Sequence, residues 1–129
     1  MNIISDTNIF LAVALDEPEK DRIIQLTAET DVIAPEILPY EIGNALSAMV
    51  KRKQITHAEA LCAQKNAGLI PVRLISIDIQ QALKLAIEFN MYAYDAYFLQ
   101  CARSMSLPLI TLDNRMKQVA IKLSIEVWE

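Results

Sequence analysis

Short apolar runs rich in Ile and Val alternate along this chain with longer stretches whose apolar positions recur at helical spacing. Asn2 to Ser5 reads as a strand. The longest apolar run, Ile9 to Leu15, stops at Asp16-Glu17-Pro18, and Glu17 to Ala28 reads as a helix with Pro18 near its first turn. A strand over Asp31 to Ala34 ends at Pro35. Pro39 opens a helix to about Lys53, with Ile42, Ala45, Leu46, Met49 and Val50 on one face. Thr56-His57-Ala58-Glu59 has the form of a capping box, and Gly68 closes the helix it starts. Val72 to Ile75 is a strand, Asp78 caps a helix reaching Phe89-Asn90, and Tyr94 to Met105 is another helix. After Pro108 come a strand over Leu109 to Thr111, a helix over Asn114 to Lys122 and a last strand over Ile125 to Trp128.

This alternation predicts an α/β fold, a parallel sheet with helices on both faces. In such sheets ligands bind beyond the carboxyl ends of the strands. The 129 residues are enough for one domain, taken as 1–129, and show no repeat or linker. With 53% hydrophobic and 22% charged residues, the chain is neither disordered nor low-complexity. No stretch approaches the roughly 18 apolar residues of a membrane span. Met1-Asn2-Ile3 has no basic flank, so no signal peptide is expected and the cytoplasm is the expected location. Cys62 and Cys101, inside apolar helical patterns, read as reduced core thiols.

The acids change the picture. Asp6 and Asp113 each follow a strand, where the fold expects a site; Asp is also favoured there as a turn or cap residue. Glu41 and Asp95 sit in the first turns of their helices, where compensation of the helix dipole would account for them. Glu41, however, shares a face with Ala45 and Ala48, small residues that allow close approach by another element, and Asp95 shares an apolar face with Leu99 and Ala102, so its carboxylate points along the packed side and needs a partner. Lys51, Arg52 and Lys53 lie about 15 Å along the helix from Glu41 at the usual rise per residue. Were the acids to converge, each pair ~5 Å apart would repel by about 3 kcal/mol at an effective dielectric near 20. Such a cluster suits Mg²⁺ or Mn²⁺, hard cations that prefer oxygen ligands. Asn8 and Thr111 could orient these carboxylates from behind, or simply cap locally. The net charge of −4 provides no strong long-range attraction for nucleic acid. Setting aside four of the 16 acids leaves the rest in balance with the 12 bases.

Four segments in order, Ser5-Asp6-Thr7-Asn8, Glu41-Ile42-Gly43-Asn44-Ala45-Leu46, Tyr94-Asp95-Ala96-Tyr97-Phe98-Leu99 and Thr111-Leu112-Asp113-Asn114-Arg115, resemble the four motifs of PIN-domain ribonucleases. Length and motif order look most like the VapC-type toxins of toxin–antitoxin pairs. The resemblance implies a three-layer α/β/α sandwich with a four- or five-stranded parallel sheet. It implies that Asp6, Glu41, Asp95 and Asp113 are catalytic and hold Mg²⁺ or Mn²⁺, that the Thr111 hydroxyl supports them, and that Asn8 matches a frequent polar position. It further implies an RNA substrate, a homodimer, and an antitoxin protein that blocks the pocket. Some PIN domains carry another acid shortly after the fourth; here that stretch is Asn114-Arg115-Met116-Lys117.

The expected activity is metal-assisted hydrolysis of an RNA phosphodiester. The lone His57 cannot form a His-pair ribonuclease, and neither a Gly-rich phosphate loop nor a Ser/His/Asp set is present. Lys51, Arg52, Lys53 and Arg115, with Arg103 and Lys117, are candidate phosphate contacts, against the plainer reading of cations at a helix end or on a solvated face. Tyr92, Tyr94 and Tyr97 could stack on bases or pack internally. The rival readings are a phospho-acceptor receiver domain, a catalytically silent PIN scaffold and a DNA-directed nuclease.

Overall fold

The computed structural model describes residues 1–129 and contains a five-stranded, wholly parallel sheet in the order β3-β2-β1-β4-β5. The strands are β1 (Asn2–Ser5), β2 (Asp31–Pro35), β3 (Arg73–Ile75), β4 (Leu109–Ile110) and β5 (Val127–Trp128). The helices are α1 (Thr7–Ala14), α2 (Lys20–Thr27), α3 (Leu38–Lys51), α4 (His57–Gly68), α5 (Ile79–Glu88), α6 (Ala93–Met105) and α7 (Asn114–Lys122). Parallel pairing needs crossover connections, and every one here carries at least one helix, so both faces of the sheet are covered. This is the three-layer α/β/α architecture expected from the alternation.

Strand alternation separates the interior into two apolar clusters. Ile3 and Ile110 point into a small one with Ile9, Ala12 and Ile23 from α1 and α2. Ile4, Ile33 and Leu109 point into a large one with Leu38, Leu85, Phe98, Leu99, Met116 and Val119. Ile3 and Ile4 are both fully buried, which explains why β1 reads as a continuous apolar run.

Local signals place most elements. Thr56 caps α4 through a complete capping box with Glu59, and Asp78 caps α5 by accepting the Gln81 N–H at 3.1 Å. Three expectations need correction. Ile9–Leu15 is not merely an apolar run: Thr7–Ala14 forms α1, whose apolar residues contribute to both clusters. The next helix begins at Lys20, and Pro18 lies in the turn before it. Cys62 is exposed, because α4 turns that face outward with Leu61; only Cys101 is a core thiol, and burial pushes its pKa up to about 12.

Phe98→Ala, at a wholly buried ring, is expected to cost about 3–5 kcal/mol in denaturant unfolding. Ile87→Ala, at a side chain 73% exposed, is expected to stay within about 0.5 kcal/mol. Equal losses at the two positions would contradict this packing.

Candidate active site

The chain reverses its direction of sheet growth between the neighbouring strands β1 and β4, and beyond their carboxyl ends lies a cavity of about 340 Å³. Asp6, Glu41, Asp95 and Asp113 all line it, together with Thr7, Asn8, Tyr40, Asn44 and Tyr94. Each acid stands at a helix beginning. Asp6 is the N-cap of α1 and Asp113 the N-cap of α7; Glu41 and Asp95 occupy the first turns of α3 and α6. The cap and site readings therefore coincide, because a side chain capping a helix just after a strand is also directed beyond the sheet edge. Four helix N-termini bring their positive dipole ends to these acids, which partly offsets the crowding of negative charge.

Asp6 is the most enclosed, with only 5% of its surface exposed. Its Oδ1 accepts the Thr7 N–H at 2.8 Å. Its Oδ2 accepts the Thr111 hydroxyl at 2.8 Å and the Asn8 amide at 3.2 Å. These bonds fill three of the carboxylate's about four lone-pair sites and leave about one without a partner. Thr111, itself buried, also accepts the Asp113 N–H at 3.1 Å, while Asn8 Oδ1 accepts the Leu112 N–H at 3.1 Å. The two residues thus tie the β4–α7 turn to the start of α1 and hold Asp6 and Asp113 in one frame. Across the cavity, the Thr7 hydroxyl donates to Glu41 Oε2.

Burial, chiefly, pushes the Asp6 pKa up to about 7, opposed by the hydrogen bonds of Thr111 and Thr7 and reinforced by the charges of Asp95 and Glu41. Glu41 is raised by desolvation and by Asp95, against the Thr7 bond that lowers it; Asp95 is raised by desolvation and by Asp113. No Lys, Arg or His lines the cavity. The molecule's ion pairs, Lys20–Asp16 and Lys117–Glu129, involve none of the four acids. The donor set is all oxygen and lacks a neutralising cation, which fits a hard divalent ion. No three carboxylates already enclose a point as tightly as a bound ion would require, so filling the site calls for side-chain adjustment around the fixed Asp6.

The candidate RNA contacts lie elsewhere. Lys51, Arg52 and Lys53 are exposed at the carboxyl end of α3, where Lys53 has a positive φ of 58° and ends the helix. Arg115 donates to the Phe89 carbonyl at 2.6 Å and so caps the end of α5. None of these four lines the cavity. Thr7 and Asn44 stand inside the sequence motifs without a role assigned to them there, and Tyr40 lies just outside. The available signal was spacing: Tyr40 and Asn44 are one helical turn apart, flanking the face that carries Glu41.

The PIN domain family profile matches residues 3–122, and the chain belongs to the PIN-domain family, whose members are nucleases. Among solved structures it is similar to PAE2754 from Pyrobaculum aerophilum, at 20% identity and TM-score 0.66, covering 96% of this chain and 90% of that one. It is also similar to VapBC2 from Rickettsia felis bound to a DNA fragment from their promoter, at 14% identity and TM-score 0.68, covering 99% and 98%. FitAcB from Neisseria gonorrhoeae matches at 19% identity and TM-score 0.59, covering 98% and 96%. No curated protein sequence matches. The sheet order separates the chain from receiver domains, whose order is 2-1-3-4-5, and overturns that rival reading.

The raised pKa of Asp6 carries a sign. The unfolded chain ionises this group near 3.8 and the folded one near 7, so its contribution to stability falls as pH rises through that window. Asp6→Asn should therefore gain stability relative to the metal-free parent between about pH 5 and pH 7.5, by an amount on the order of a kcal/mol or more. Thermal unfolding in chelator across that range checks it; a difference that shrinks as pH rises would contradict the assignment.

Proposed function

We propose that this chain is a divalent-metal-dependent endoribonuclease, the toxin of a cytoplasmic toxin–antitoxin pair. The observation that carries the reading is the cavity at the sheet's switch point, lined by four carboxylates and no cation, in a chain of a nuclease family. The likeness to VapBC2 and FitAcB supports an antitoxin protein as partner, and the working form in this reading is a homodimer.

In this reading Asp6, Glu41, Asp95 and Asp113 hold Mg²⁺ or Mn²⁺. Bound there, the ion would lower the pKa of a water and neutralise charge on the phosphoryl oxygens. The chain's own residues prepare that chemistry. Thr111 and Asn8 hold the Asp6 carboxylate by two hydrogen bonds at Oδ2 and so fix its position in the cavity wall. Thr7 orients Glu41 from the opposite side. With no basic side chain in the lining, no side chain there would neutralise an RNA phosphate, so in this reading the bound ion supplies that charge and cleavage depends on it. Phosphate contacts from Lys51, Arg52 and Lys53 would position the strand at a distance without reading its sequence.

The presence of all four acids in one cavity favours an active nuclease over a silent scaffold. Asp95→Asn is expected to lower Mn²⁺-dependent RNA cleavage at least about 100-fold, as chelator does to the parent, with unfolding as cooperative as before. Persistent cleavage by both Asp95→Asn and Asp6→Asn, or faster cleavage of DNA than of RNA, would overturn the proposal. Changing Lys51, Arg52 and Lys53 together to Gln is expected to weaken RNA binding and to flatten its salt dependence by about 0.7 in log–log slope per lost contact. Unchanged affinity and slope would reduce the triplet to a helix end.

A further inference from the structure

A second cavity, of about 460 Å³, opens beside the carboxylate cavity and shares Ile37 and Tyr40 with it. Pro35, Ile37, Ile77, Ile79 and Tyr97 provide its apolar surface, and Glu36 its one charged group. Tyr40 is 75% exposed where the two cavities meet, and no other ring stacks on it. On the α6 side Tyr94 lines the first cavity and Tyr97 the second, and their rings meet edge to face at 5.9 Å and 81°.

We infer that this groove is a nucleobase subsite, in which the unpaired base next to the scissile phosphate stacks on Tyr40. The inference rests on the nuclease reading and adds to it a site for the substrate's base. Three features select this occupant. The groove shares Ile37 and Tyr40 with the carboxylate cavity, so a strand whose phosphate lies among the acids has a neighbouring base within reach of it. Its lining lacks any cation, which disfavours phosphate and suits an uncharged ring. Its volume lies in the small-ligand range. Glu36 at the rim accepts hydrogen bonds, which favours a base bearing an amino group over uracil. Bases inside a duplex are already stacked and unavailable, so the subsite selects single-stranded RNA.

The test uses the full chain with Mn²⁺ and a single-stranded RNA oligonucleotide carrying 2-aminopurine, moved one position at a time, with a duplex of the same sequence as control. Binding is read by quenching of the fluorescent base, and cleavage by product formation. Tyr40→Ala is expected to raise KM and the dissociation constant about 10-fold and to abolish quenching at one position, with kcat within about threefold; Tyr40→Phe should behave as the parent. An abasic nucleotide at that position should cause the same loss in the parent and no further loss in Tyr40→Ala. Quenching that depends on Tyr40 without any cleavage would sink the nuclease reading and leave the subsite standing. Cleavage that Tyr40→Ala leaves unchanged would overturn the subsite alone. A Tyr40→Ala protein that changes its oligomeric state by sedimentation but keeps its RNA affinity would assign the groove to a second copy and overturn the inference too.

Discussion

Like charges gathered in one cavity, the deepest of them buried, are the constraint around which this molecule is arranged. Four carboxylates share one cavity, and the cationic side chains all lie outside it. The fold makes the arrangement tolerable rather than favourable. Four helix N-termini direct partial positive charge at the acids, and a hydroxyl, an amide and a backbone N–H bind the deepest of them. What remains unbalanced appears in the raised pKa values of Asp6, Glu41 and Asp95, each driven first by burial. A site that costs stability when empty is a site prepared for a positive ligand.

The same constraint explains the topology. Adjacent parallel strands whose connections lead to opposite sides leave a crevice at their carboxyl ends, and β1 and β4 form such a pair. Asp6 and Asp113 are placed by the strands themselves, whereas Glu41 and Asp95 arrive on helices crossing the rim. The hydrogen-bonded path Leu112–Asn8–Asp6–Thr111–Asp113 then locks the two strand-borne acids together. Residues more than 100 positions apart in sequence behave as one unit because two short strands pair side by side.

How much of this is legible in the chain depends on whether the deciding force is local. The capping box at Thr56, the cap at Asp78 and the strand runs around Ile3 and Leu109 are local, and the elements formed as read. Helix α1 was not legible: Ile9–Leu15 is apolar on every side because α1 packs against both clusters, so no polar face marks its turn. Cys62 was misplaced because α4 is weakly amphipathic, with exposed Leu61 and Leu69, and tertiary packing alone decides which side faces out. The acids could be singled out by position, but nothing local showed that they share one cavity, nor that Arg115 serves the end of α5 instead of the site. Tyr40 escaped notice because an exposed aromatic residue acquires meaning only from the two cavities on either side of it.

Crystals of the full chain soaked in Mn²⁺ test the central claim most directly, by the anomalous scattering of the ion. The account predicts a peak within about 2.5 Å of an Asp6 oxygen and of at least one oxygen from Glu41, Asp95 or Asp113. No peak in the cavity at millimolar Mn²⁺, or an arginine or lysine folded onto those carboxylates instead, would contradict it.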